Sequence, residues 1–172
     1  KVIEQSFRLK TWFYYCEQDG QIVGVLPLCE IKSALFGHAL GAMQFCVYGG
    51  VAALSDDARL LLDGAADKLA RELGVGHLEY RNLAAAHPGD PAWHTKELYV
   101  TFRKAISGDD EENLNAIPRK QRAMVRKGIK LGLVGEVDDN VERMFEAYAS
   151  SVHRLGTPVF PKKYFALLKE TF

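Results

Sequence analysis

The chain has 172 residues, 48% of them hydrophobic and 26% charged, with 22 basic residues set against 22 acidic ones. That supplies enough apolar side chain for a sizeable core and excludes a disordered, collagen-like or disulfide-dense chain. A formal net charge of zero excludes attraction to nucleic acid or anionic lipid through bulk charge, so any such attraction has to come from a local patch.

In chain order, residues 12–16 and 21–31 are aromatic and β-branched runs separated by EQDGQ. Asp19-Gly20 supplies the positive φ angles of a tight hairpin, so the two runs are expected to pair antiparallel. Pro27 lacks an amide donor and belongs at an edge position or a bulge of the second strand. Residues 33–55 contain no Asp, Glu, Lys or Arg, yet His38, Gln44, Tyr48 and interspersed glycines fit a buried strand flanked by loops better than a membrane span. That strand is expected at 43–48, ending at Gly49-Gly50, where the backbone can turn sharply or approach a ligand closely.

Ser55 is a good N-cap, with Asp56 and Asp57 at the positive end of a helix dipole. Leu61, Leu62, Ala65, Leu69 and Leu73 recur at helical spacing, and Gly74 is placed to end the helix. HLEYRN, residues 77–82, returns as a strand with Leu78 and Tyr80 on one face and His77, Glu79 and Arg81 on the other. Residues 97–106 are expected as a further strand, 131–137 as a short one, and 141–155 and 161–172 as helices, the last with Pro161 in its first turn. The hairpin start and the alternation of strands and helices predict a mixed α/β fold and exclude a purely parallel sheet.

Cys16, Cys29 and Cys46 lie in apolar contexts without CxxC spacing, which predicts buried free thiols and a reducing, cytoplasmic setting. The five histidines are scattered without paired ligand spacing, so no metal site is expected. There is no GxSxG, no Walker loop and no Cys/His pairing. The chain starts at Lys1 with no charged leader ahead of a short apolar core, and is expected to be a piece of a longer protein.

Residues 117–130 carry six positive charges. On a helix, Arg119, Arg122, Arg126 and Lys130 fall within an arc of about 80°, which Lys120 and Lys127 widen to about 160°. Met124, Val125, Ile129 and Leu131 take the remainder, and Asp109 to Glu112 partly neutralise the segment from upstream. Two readings of the basic face stay open: a solvated charged surface, or an anion site whose forked arginine donors meet phosphates.

The stretches GQIVGVLPLCEIKSALFGHAL, FCVYGGVAAL, HLEYRN, IPRKQRAMVRKGIKLGL and LGTPVFPKKYF together resemble the FemAB family, and more closely its members associated with the PEP-CTERM/exosortase system. The resemblance implies a GNAT-like acyltransferase fold, a mixed and mostly antiparallel sheet flanked by helices. It also implies two tandem modules: 1–132 as the first, and 133–172 as the start of a second, truncated one; the alternative is a single module in which the helices of 141–172 cap one sheet. By the same likeness the function would be amide formation, an aminoacyl or acyl group passing to an amine of a cell-envelope or exopolysaccharide precursor. The donor would be aminoacyl-tRNA or another activated acyl group, with no bound cofactor. RKGIKLG does not match the Gln/Arg-x-x-Gly-x-Gly/Ala loop that holds acetyl-CoA, so acetyl-CoA is not the expected donor.

Such a reaction needs a proton acceptor for the amine and donors for the carbonyl oxygen. Tyr48, Gly49 and Gly50 at a strand end, with Glu79 and Arg81 projecting together from another strand, are the candidate acceptor groove; the open alternative is that Tyr48 is core, the glycines make a turn and Glu79 pairs with Arg81 at the surface. Arg119, Arg122, Arg126 and Lys130 are the expected anion-binding set for an anionic small-molecule or polymer precursor, or for tRNA. A non-catalytic module that recognises an acidic partner is the alternative, and an RNA-binding domain resting on the basic helix alone is a third.

Overall fold

The computed structural model describes residues 1–172, and the chain is mixed α/β, with a five-stranded, mostly antiparallel sheet flanked by helices. The order is α1 (Val2–Phe7), β1 (Thr11–Gln18), β2 (Gln21–Ser33), β3 (Gly37–Ala42), β4 (Ala52–Ala53), α2 (Asp56–Leu73), β5 (His77–Glu79), α3 (Asp110–Asn115), α4 (Arg119–Lys130), α5 (Val141–Arg154) and α6 (Lys162–Thr171). Two compact units form: Lys1–Pro91 with Val141–Phe172, and Ala92–Asn140. The sequence division at 132/133 concerns an expected duplication of modules, a different matter from these units.

In the first unit β2 is the organising strand. It pairs over Gln21–Cys29 with β1, from Gln18↔Gln21 to Thr11↔Cys29, and the turn between them holds Asp19 and Gly20 at φ 52° and 76°. Both angles are those of a type I′ hairpin, which matches strand twist. On its other side β2 pairs with β4 at Gly24↔Ala53 and Val25↔Ala52, and with β3 from Leu28↔Ala42 to Ser33↔Gly37. Pro27 lies in the seam between those two ladders. Glu30 donates its amide toward the β1 side, to Lys10, so the nitrogen of Pro27, an odd number of residues away, faces the seam and its missing donor breaks no ladder bond.

Leu26, Leu28, Leu40 and Ala42 present one continuous apolar face, against which α2 sets Leu62, Ala66, Leu69 and Ala70; Trp12, Tyr14, Leu78 and Tyr80 close the margin. The α2 caps are those expected: Ser55 Oγ accepts from the Ala58 amide at 3.2 Å, and Gly74 ends the helix at φ 63°. From Gly74 the chain enters β5, which runs parallel to β3 through Ala39↔His77, Leu40↔Leu78 and Gly41↔Glu79. A parallel pair needs a crossover, and α2 provides it. A separate aromatic cluster joins α1 to α6, with Phe7 stacked on Phe45 at 4.3 Å and Phe160 and Tyr164 packed around them.

Three expected strands are absent. Residues 43–48 form a turn instead, because Met43 and Phe45 both take positive φ, 46° and 69°, and the Cys46 amide closes back on the Met43 carbonyl at 3.1 Å. Residues 97–106 have no backbone partner and no buried side chain. Residues 131–137 fail to extend a ladder because α4 ends in a Schellman turn: Gly132 sits at φ 69°, its amide donates to Ile129, and Leu133 donates to Gly128. The two terminal helices do form, α6 being preceded by Pro161. In the second unit no residue is buried, and polar contacts between side chains and backbone supply its order.

The three cysteines are free: Cys29 is buried, and Cys16 and Cys46 are half-buried, a correction to the expectation that all three are buried. Burial pushes the Cys29 thiol up to about 11, and the charges of Glu30 and Glu4 push the same way. Because the folded state holds this proton more tightly, the associated stability is complete below the ordinary thiol range and is lost as pH rises toward 11. Iodoacetamide at pH 8 is accordingly expected to label Cys16 and Cys46 well before Cys29, as read by peptide mass spectrometry. Leu26→Ala, at a side chain with 0% exposure, is expected to cost about 2–5 kcal/mol, seen as a lower urea midpoint at unchanged slope.

Candidate functional site

β3 and β5 both end at the same edge of the sheet, and the segments that leave them there build the site. Beyond Ala42 the chain makes the excursion 43–48 and returns at Gly49, which exchanges backbone hydrogen bonds with Arg81: Gly49 N–H to Arg81 O at 2.9 Å, and Arg81 N–H to Gly49 O at 2.5 Å. The loop thus closes over the ends of the parallel pair, the position where α/β sheets commonly take ligands.

Only glycine fits at position 49. A Cβ on Gly49 would run into the Ala42 carbonyl oxygen and lie 2.5 Å from Met43 Cβ, whereas a Cβ on Gly50 would meet only the amide end of Asn82. The Gln44 side chain, 8% exposed, lies flat on the Cα of Gly41. Met43 and Phe45 have positive φ and Gln44 between them does not. The amides of Gln44, Phe45 and Tyr48 have no acceptor within the chain.

Beside this loop stand Glu79 and Arg81. Arg81 Nε donates to Glu79 Oε1 at 2.8 Å and Nη1 donates to the Cys46 carbonyl at 3.2 Å. Arg81 and Glu79 keep about two-fifths of their side-chain surface exposed, 41% and 37%, so a ligand can reach them. Glu79 Oε1 is engaged and Oε2 is not. Tyr48 directly precedes Gly49, and its hydroxyl is buried and unpartnered. The five residues expected from sequence as an acceptor groove, Tyr48, Gly49, Gly50, Glu79 and Arg81, therefore cluster at the end of one strand pair. Gln44 and the carbonyl of Cys46 complete the cluster. They were not visible in the sequence because 43–48 reads as a plain apolar strand there.

A buried polar group lies on the opposite face. Asp63, 8% exposed, accepts from His87 Nε2 at 2.8 Å and from Arg59 Nη1 at 3.3 Å. Burial, reinforced by the Asp63 charge, drives the Tyr80 phenol well above its usual range. The His87 contact ties the loop after β5 to α2. A second such pair joins neighbouring strands, His38 Nε2 to Glu30 Oε1 at 2.6 Å.

The four residues expected to bind anions lie on α4, in the second unit, and do not share one state. Arg122 is spent internally: Nε and Nη2 donate to Ile117 O at 3.1 and 2.9 Å, and Nη2 and Nη1 reach Asn115 O and Oδ1 at 2.7 and 3.3 Å. It ties α4 to the end of α3. Ser107 and Asn113 lock the entry to α3 in the same way, by reciprocal bonds of 2.9 and 2.8 Å. Arg119, Arg126 and Lys130 carry no ion pair or hydrogen bond from their side chains. No group of His, Cys, Asp and Glu is arranged to hold a metal ion, and no helix is long and apolar enough to cross a membrane.

Compared with family models, curated proteins and solved structures, the chain matches none.

Gly49→Ala is expected to destabilise the first unit by about 1–3 kcal/mol because backbone must move, while Gly50→Ala costs much less, since the Asn82 side chain can swing away; paired thermal melts measure the difference. Arg122→Ala is expected to loosen residues 113–122, seen as faster amide hydrogen exchange there, with Arg126→Ala leaving exchange unchanged.

Proposed function

We propose that the chain belongs to an acyltransferase of FemAB type, forming an amide by moving an aminoacyl or acyl group onto an amine of a cell-envelope or exopolysaccharide precursor. The observation that carries this is the convergence, at the ends of β3 and β5, of a half-exposed carboxylate with one free oxygen and a loop whose amides have no acceptor in the chain. Amide formation asks for those two things, a proton acceptor and oxyanion donors. The antiparallel β1–β2–β3 run followed by a helical crossover to a parallel strand accords with a GNAT-like fold.

In this reading the amine nitrogen attacks the carbonyl carbon of the activated ester. The carbonyl oxygen takes up charge facing the amides of Gln44 and Phe45. Glu79 Oε2 accepts the ammonium proton as the C–N bond forms, and returns it to the departing ribose or other leaving oxygen as the C–O bond breaks. Arg81, held by Glu79 and by the Cys46 carbonyl, fixes the carboxylate and offers its remaining N–H groups to an anionic acceptor. Neither a covalent intermediate nor a bound cofactor enters the scheme.

The Glu79–Arg81 ion pair also favours a second reading, a binding module for an anionic partner, since such a pair can recognise without reacting. Mass spectrometry separates the two. The chain is incubated with charged tRNAs and amine-bearing nucleotide-linked sugars. A product one acyl group heavier is expected, with Glu79→Gln lowering its rate by about 10²–10⁴ while acceptor affinity holds within a few-fold. Acceptor binding without any mass gain overturns the transferase reading in favour of the binding module.

A further inference from the structure

Helix α4 presents two unsatisfied surfaces at once. Its apolar arc is open to solvent over most of its surface, with Met124 at 66%, Ile129 at 65%, Leu131 at 69% and Val125 at 41% exposure, and with Leu133 set against Gly128 between them. Its basic arc carries six cations, of which only Arg122 is engaged by the chain; Arg119, Lys120, Arg126, Lys127 and Lys130 have no acidic partner. Around the axis the two arcs do not mix. Lys120 and Lys127 border the apolar stripe on one side, and Arg122 and Arg126 border it on the other. The acids nearby, Asp109 to Glu112, belong to α3 and its cap, and Asp109 is occupied with the Glu112 amide at 2.7 Å. Across residues 109–130 six bases outnumber four acids.

Neither arc explains the other in water. A helix that is merely solvated does not segregate an apolar stripe from its charges and leave that stripe uncovered. An RNA partner would meet the cations but has no use for Met124, Val125 and Ile129, and α4 has no aromatic ring for base stacking. An anionic bilayer meets both arcs: acyl chains for the stripe, phosphate and carboxylate headgroups for the flanking cations, whose long stems reach outward from the boundary.

We propose that α4 is a membrane-surface helix, lying in the headgroup plane of an anionic bilayer with Met124, Val125, Ile129 and Leu131 turned toward the acyl chains. The site is peripheral and reversible. It stands on α4 alone and holds whether or not the strand-end cluster is a transferase site.

The test is flotation of the intact chain with vesicles of phosphatidylcholine alone and with vesicles containing about 30% phosphatidylserine. Binding to the anionic vesicles is expected to be at least about tenfold tighter, and to weaken by about tenfold as salt rises from roughly 50 to 300 mM. Arg119→Glu combined with Arg126→Glu and Lys130→Glu, which spares Arg122, is expected to abolish the preference for anionic vesicles. Met124→Gln with Ile129→Gln is expected to weaken binding to them about tenfold at unchanged charge. All five side chains are non-buried, so circular dichroism should match the parent. An environment-sensitive dye on Met124→Cys should shift to the blue on binding. Equal affinity for both vesicle types, or binding without that shift, overturns the proposal. So does tight binding to structured RNA with no flotation, or a dimer that the Met124/Ile129 variant dissolves with no flotation by the parent.

Discussion

The packing of α2 on the face made by Leu26, Leu28, Leu40 and Ala42 is the interaction on which the rest of the first unit depends. Burying that face requires the helix to come after β3 and to deliver the chain back alongside it, and this crossover makes β5 parallel to β3. Two strands that end together leave their carbonyls and amides without further ladder partners, so the chain beyond them has to supply closure. It does so through Gly49 and Arg81, and the cluster of Gln44, Cys46, Glu79 and Arg81 is the by-product of that closure. Position comes from apolar burial, chemistry from the few polar groups left at the rim.

Elements with local signatures were legible in the sequence. Asp19-Gly20, Ser55, Gly74 and the helically spaced leucines of α2 each specify their own backbone, and the structure has the hairpin and α2 where those residues put them. The alternation in HLEYRN also placed Leu78 and Tyr80 inward and the Glu79–Arg81 pair outward. The loop 43–48 was not legible, because its letters are those of an apolar strand and its turn depends on positive φ at Met43 and Phe45, which no side chain there advertises. Nor was Asp63 legible as a buried carboxylate: its partner His87 is 24 residues away, and only the tertiary fold brings them together.

Residues 97–106 and 131–137 show the other limit. Both have strand-like letters, but a strand is a relation between two chains of peptide groups, and within this chain neither segment has a partner strand. In the unit Ala92–Asn140 order rests on Arg122, Asn113 and Ser107 meeting backbone carbonyls and amides, with no buried residue behind them. Hydrogen bonds exposed to water contribute little net free energy each, so this unit is the part of the protein whose conformation is most open to selection by whatever it touches.

The seam that holds Pro27 has a bearing on how the protein survives at high concentration. β2 is flanked there by β4 on one stretch and β3 on the next, and a gap between neighbours is the natural entry for an invading segment from another molecule. At that gap the one residue facing outward is an imino acid. An intruder would find no hydrogen to accept, and its own first contact would be with a rigid ring. Folding thereby gains a built-in guard against clumping at the seam between the two ladders on one side of its longest strand.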